Sequence, residues 1–218
     1  MILSSMNEAK LIKLQTNRLI KGMQMLNLES HQAPIIIDYL LLLQKWNHAY
    51  NLTAIDDLER MVTHHALDAL AVLPHFLGHA IIDVGTGGGV PGFLLAIMFP
   101  QKHIVLLDAV GKKARFMRQV KRELKLKNVD VVHSRVENYL PDEKFDVITS
   151  RAFSELNQFL LLTEHLGHEG TQFLAMKGPK KESLDSTLAF KQTAVWDISV
   201  PFWNVERKLY QFEKTHEN

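Results

Sequence analysis

An apolar run that ends in an acid and a glycine-rich turn, Ile81-Ile82-Asp83-Val84-Gly85-Thr86-Gly87-Gly88-Gly89-Val90-Pro91-Gly92, restricts this chain to few folds. It reads as a strand that delivers a tight loop to a helix, because the glycines allow backbone angles and a close approach that a Cβ would obstruct. A second apolar run ending in an acid, Ile104-Val105-Leu106-Leu107-Asp108, follows after room for one helix. The two are adjacent parallel strands whose carboxyl ends face one ligand.

The same alternation continues to the end of the chain. Strands are expected near 80–84, 103–108, 129–133, 145–149, 171–176, 193–199 and 206–213, and helices near 91–99, 111–126, 154–166 and 180–190. Apolar strands separated by amphipathic segments mean an α/β fold with a doubly wound, mostly parallel, seven-stranded Rossmann-like sheet. Only the short Pro201 loop separates the last two runs, so a hairpin makes one strand antiparallel. Residues 6–75 read as helical throughout, with a second helix from near Ser30 to about Asn47 and a third from Asp56 or Asp57 to about Leu73. The expected division is an N-terminal helical extension over 1–75 and a cofactor-binding domain over 76–218.

Two cofactors compete for the glycine turn. Gly87-Gly88-Gly89-Val90-Pro91-Gly92 fits G-x-G-x-x-G with Asp108 roughly 20 residues on, as a dinucleotide site requires. Asp83, two residues before the first glycine, opposes a diphosphate and suits the sulfonium and ammonium of S-adenosylmethionine, provided that it faces the ligand rather than capping the turn. Beyond the third and fourth strands, Val136, Glu137 and Arg151 are expected at the same crevice, with Val136 and Glu137 against an adenine.

The helix expected at 111–126 carries Lys112, Lys113, Arg115, Arg118, Lys121, Arg122 and Lys125, opposed only by Glu123, while Ala114, Met117, Val120 and Leu124 form its inward stripe. Formal net charge is only +1, so affinity for a polyanion must come from such clustering. The first lysines lie near the mouth of the crevice, which points to RNA as substrate. His65 and Asp68 share a helix face, but no third ligand stands at a suitable spacing, so no metal is expected, and polar contact between the N-terminal helices and the crevice is expected instead. The absence of cysteine excludes disulfides, thiolate metal sites and a cysteine nucleophile. The N-terminus has no signal-peptide core and the longest apolar stretch, Ile35 to Leu43, is interrupted by Asp38, so a cytoplasmic chain is expected.

Several of these segments together resemble one family, the bacterial small-subunit ribosomal RNA guanine-N7 methyltransferases, once called glucose-inhibited division protein B. They are Trp46-Asn47, Tyr50-Asn51-Leu52-Thr53, His65-Ala66-Leu67-Asp68-Ala69-Leu70, the glycine turn through Pro91-Gly92, Leu106-Leu107-Asp108, Ser134-Arg135-Val136-Glu137, Thr149-Ser150-Arg151-Ala152 and Lys177-Gly178. The chain departs from the usual pattern at Ala69, Ala109 and Lys113. The resemblance implies a class I methyltransferase fold and S-adenosylmethionine contacts at Gly85, Gly87, Val90, Val136, Glu137 and Arg151, with Asp108 near the ribose. Lys112, Lys113 and Arg115 of the basic helix, with Lys177, are the candidate RNA contacts. The resemblance implies methylation of guanine 527 in the 530 loop of 16S ribosomal RNA, as naked RNA or within the small ribosomal subunit. A monomer is expected.

The chemistry agrees with the resemblance. Guanine N7 carries an unprotonated lone pair and needs no general base, and the sequence offers no nucleophile–base pair; no catalytic residue is assigned. Three other readings stay open: a methyltransferase of a small molecule, a nicotinamide-dependent dehydrogenase, and a non-enzymatic RNA-binding module.

Overall fold

Short apolar runs separated by amphipathic segments from residue 80 onward build one seven-stranded sheet in the computed structural model, which describes residues 2–215 apart from Ala152, Ser154 and Lys181. The strands are β1 (Ala80–Val84), β2 (His103–Asp108), β3 (Val129–His133), β4 (Phe145–Ser150), β5 (Gly167–Lys177), β6 (Phe190–Val200) and β7 (Trp203–Lys214), in the order β3-β2-β1-β4-β5-β7-β6. β1 to β5 run parallel, and β7 is antiparallel to both β5 and β6. The chain winds outward from β1 to β3 and then returns to place β4 on the other side of β1. A crevice therefore opens above the tips of β1 and β4.

The helices are α1 (Ile2–Met25), α2 (Ala33–Tyr50), α3 (Leu58–Met61), α4 (Asp68–Leu70), α5 (Gly92–Met98), α6 (Gly111–Glu123) and α7 (Leu156–Thr163). One wide π-turn, Val62–Leu67, joins α3 to α4. Residues 6–75 are thus not helical throughout. Left-handed asparagines, Asn27 and Asn51, stop α1 and α2, and 51–57 is a loop. Asp57 caps α3 by accepting from the Arg60 amide. α6 ends at Glu123, short of 126, because Lys125 turns left-handed and Leu126 N donates back to Lys121 O at 3.0 Å.

The helix expected at 180–190 does not form among the described residues of that stretch. Asp185 Oδ1 accepts from both the amide and the hydroxyl of Thr187, and Asn157 Oδ1 takes the Asp185 amide. Short polar side chains here satisfy the backbone locally and compete with a helical ladder. Leu184 and Leu188 still pack against the core.

Alternation along the strands gives the sheet two apolar faces. Ile81, Ile104, Leu106, Val147 and Leu174 meet α1, α2, the 58–70 segment, α5 and α6. Ile82, Val105, Leu107, Ile148 and Phe173 meet α7 and the loops beside it. The N-terminal helices share the first core with β1 and α5, so they bear directly on the glycine turn. Among the described residues no helix is long and apolar enough to cross a membrane.

Candidate active site

The turn after β1 is shaped by its own glycines and by a bond to the neighbouring strand. Gly85 and Gly87 adopt φ of +68° and +64°, and Gly85 N donates to Leu107 O of β2 at 2.8 Å. Asp83 does not face the crevice. Its carboxylate is fully buried, and Oδ2 accepts from the Thr86 hydroxyl and from Gly92 N at 2.9 Å. Asp83 fastens the turn to the start of α5. Burial pushes its carboxyl up to about 6, while the Thr86 and Gly92 bonds and the charge of Arg151 draw it back.

Asp108 closes the turn from the other strand. Its Oδ2 accepts from Gly87 N at 2.9 Å, its Oδ1 accepts from Val110 N at 2.9 Å, and Lys113 Nζ stands 3.5 Å away. Gly85, Gly87 and Asp108 are therefore brought together as expected. Val90 is buried beside the turn, and Val136 is buried in the same apolar cluster as Val84 and Leu107. Glu137 is exposed on a short 3-10 turn, Val136–Asn138, beyond β3.

The glycine turn also has a support that the sequence did not reveal. Tyr39 of α2 is fully buried, its hydroxyl donates to Gly88 O at 2.7 Å, and its ring packs on Phe93 at 5.3 Å. Burial pushes its phenol far up, so it stays a donor at every working pH. Tyr39→Phe is expected to lower stability by about 1 kcal/mol and to weaken cofactor binding several-fold, because the Gly88 carbonyl loses its buried partner. Calorimetric titration with S-adenosylmethionine checks this; an unchanged affinity would show that the bond does not shape the site.

Arg151 stands one residue beyond β4, at the strand position expected of it, but its contacts run to the π-turn. Its guanidinium donates to His64 O at 3.1 Å and to His65 Nδ1 at 3.2 Å, and lies 3.5 Å from the buried Asp68 carboxylate. A guanidinium can only donate, so His65 Nδ1 is the acceptor and Nε2 carries the proton toward Thr53 Oγ1, 2.9 Å away. Asn47 in turn holds the 51–57 loop, accepting from Thr53 N at 2.8 Å and donating to Ile55 O at 3.2 Å. Asn47, Thr53, His65 and Arg151 thus form one chain of hydrogen bonds from α2 to the end of β4. Ala152, the last residue of the Ser150-Arg151-Ala152 motif, lies outside the described residues.

Burial, aided by the neighbouring Arg151 charge, pushes His65 down to about 3. The folded value lies below the ordinary value of 6.5, so the neutral ring's contribution is complete above pH 6.5 and is lost as pH falls toward 3. Each pH unit in that window costs about 1.4 kcal/mol. The melting temperature of the native chain is therefore expected to fall toward that of His65→Gln between pH 7 and pH 5. A gap that stays constant over this range would mean that His65 is not the titrating group.

The four residues expected at RNA do not form one surface. Lys112 and Arg115 are exposed on α6, Lys113 turns back to Asp108, and Lys177 is buried at the end of β5, donating to Phe153 O at 3.0 Å beside Glu182. His65 and Asp68, for which polar contact with the crevice is expected rather than a metal, make that contact through Arg151. Among the described residues no group of three or more such side chains is placed to hold a metal. Asp68 instead pairs with Arg151 and, at 3.0 Å, with Arg207 of β7, a residue without any sequence signal.

Comparison with known proteins agrees with this geometry. The sequence profile described as GidB, rRNA small subunit methyltransferase G, matches residues 32–210. Ribosomal RNA small subunit methyltransferase G of Pseudomonas paraeruginosa is 48% identical over 191 residues, covering 86% of this chain and 89% of that one. Its counterpart from Pseudomonas syringae pv. tomato is 46% identical over 192 residues, covering 87% and 91%. Among solved structures, a SAM dependent methyltransferase from Aquifex aeolicus superposes with a TM-score of 0.58 at 20% identity, covering 75% of this chain and 97% of that one.

Proposed function

This chain belongs to the rRNA small subunit methyltransferase G family, and on that premise we propose that it methylates N7 of one guanine in small-subunit ribosomal RNA. The coarser activity is that of the family: the chain is an S-adenosylmethionine-dependent methyltransferase of ribosomal RNA. The finer reading names the atom, N7, and the nucleotide, guanine 527 of the 530 loop in 16S RNA. The observation that carries it is the family match over residues 32–210, joined to a glycine turn, Asp108 and Arg151 at neighbouring strand ends.

The residues at the crevice fit the methyl donor. The turn is open at Gly87, where an added Cβ would meet only Lys113 Nζ at 4.0 Å, so backbone there can approach a ligand closely. Gly85, Gly87 and Val90 would hold the donor from the turn, Asp108 its ribose, Val136 and Glu137 its adenine, and Arg151 the end toward β4. When bound, S-adenosylmethionine supplies a methyl group made electrophilic by its sulfonium.

This chain's own part is orientation. Guanine N7 attacks with a free lone pair, so the acceptor needs no deprotonation. In agreement, Asp108 is engaged by two amides and Lys113, and Asp68 by two arginines, while Asp83 is fully buried and binds the turn through Oδ2 alone. His65 is held neutral with both nitrogens bonded. Holding acceptor and donor in line can supply roughly 7–11 kcal/mol by positioning alone. N7 lies on the edge that the deep groove of an RNA duplex hides, so the target must be presented unpaired.

The test is transfer of labelled methyl to small-subunit RNA and to subunits from cells lacking this protein, followed by nucleoside mass spectrometry. The expected product is 7-methylguanosine at one loop nucleotide, and none in a short perfect duplex. Methyl on another nucleoside, or donor binding without transfer to RNA, overturns the reading and favours a small-molecule acceptor.

A further inference from the structure

On the β5 side of Arg151, the surface opens into a cavity of about 440 Å³ between the ends of β4 and β5, the start of β7 and α4. Its size lies within the roughly 300–1,000 Å³ of pockets that enclose small ligands. Five cations line it, Arg151, Lys177, Lys180, Arg207 and Lys208, against two acids, Asp68 and Glu182. The acids hold three of the cations in place. Asp68 pairs with Arg151 and Arg207, and Glu182 stands 3.6 Å from Lys177. Lys208 reaches Asp197, an exposed acid outside the cavity, so two formal positive charges remain in excess. The rest of the wall is apolar and aromatic: Val72, Met176, Ile198 and Phe153.

Fixed cations beside an apolar wall are the complement of a single nucleotide, a planar base carrying a phosphate. Arg151 belongs to this cavity and also stands at the strand-end crevice, so a base seated here adjoins the methyl donor's place. An enzyme that works on a base hidden in RNA structure must take it out of the stack and give it a pocket.

We propose that this cavity receives the methyl-accepting nucleotide, unpaired, with its base against Val72, Met176, Ile198 and Phe153 and its phosphate against Lys180, Arg207 and Lys208. The assignment rests on the RNA reading above. Lys180 and Lys208 lie outside the cofactor crevice, and Lys180 is exposed, so both can be changed without touching the glycine turn.

The experiment uses the full chain and guanosine 5′-monophosphate as probe, with S-adenosylhomocysteine present. Saturable binding is expected, competing with RNA but not with S-adenosylmethionine. The double substitution Lys180→Ala, Lys208→Ala is expected to raise KM for RNA and weaken the probe by about tenfold, with cofactor affinity unchanged and a shallower salt dependence of RNA binding. Lys180→Glu alone, on an exposed position, should act in the same direction. Displacement of the probe by S-adenosylmethionine overturns the proposal, as does a double variant with native KM and probe affinity. If ribosomal RNA is methylated and the variants are indifferent, the pocket assignment alone falls. If RNA is not methylated but the probe binds and the variants lose it, the RNA reading falls and the nucleotide pocket stands.

Discussion

Arg151→Leu is expected to reduce methyl transfer to ribosomal RNA by about a hundredfold or more, the scale of loss when a reacting group is misplaced by an ångström. The side chain joins the end of β4 to the helical segment that carries the His64 carbonyl and the buried Asp68. Removing it leaves His65 Nδ1 without its donor and Asp68 with Arg207 as its remaining cation. Losses of this kind cost about 1–3 kcal/mol, and in a chain of this length each kcal/mol lowers the melting temperature by about 2–4 °C. Arg151→Lys separates charge from geometry. A lysine ammonium is a point charge and cannot fork between a carbonyl and an imidazole nitrogen while facing a carboxylate. It should therefore keep most of the stability and recover less than about a tenth of the rate. Melting curves and kcat/KM on small-subunit RNA decide; a lysine variant at the native rate would mean that only the charge matters.

Gly89→Ala carries the second large effect, on folding and cofactor binding together. Gly89 has φ of +92°, and an added Cβ would lie 2.2 Å from Phe93 Cδ2, inside a ring that is fully buried against Tyr39. Backbone strain and overpacking each cost about 1–3 kcal/mol, so a drop in melting temperature of about 10 °C and loss of measurable donor binding are expected. Gly170→Ala is the matched control. It has φ of +83° but nothing within 4 Å of the added Cβ, so strain acts there alone. If both variants melt alike, close packing against Phe93 is not what fixes the turn.

What could be read from the sequence was whatever depended on neighbours in sequence. β1, β2 and β3 begin and end where their apolar runs do, and Gly85, Gly87 and Asp108 meet because a βαβ unit must bring its two strand tips together. The short Pro201 loop between the last two apolar runs likewise announced the final hairpin. Asp83 was legible as a site residue but not in its role, since facing a ligand and capping a turn demand the same acid at the same position. The stretch after Gly178 failed because its leucines have helical spacing while Asp185 and Thr187 bond their own backbone. Tyr39 and Gly88 lie 49 residues apart, and Asp68 and Arg207 lie 139 apart. Such pairs have no local signature; only the packing of α2 and the 58–70 segment on the sheet creates them.

The position of β7 has a consequence for synthesis. It is the last strand in sequence order, yet it lies between β5 and β6 and pairs with both. As the chain emerges from the ribosome, β1 to β5 can assemble while the outer edge of β5, with Phe173 and Leu174, still has no neighbour, and β6 has no partner at all until residues 203–214 follow. An unpaired apolar strand edge is a template for another chain, so nascent copies translated on one message are most exposed to mutual capture in that interval. Only Pro201 and Phe202 separate β6 from β7, so the two strands can pair as a local hairpin as soon as the second is made, which limits the time either edge stands open.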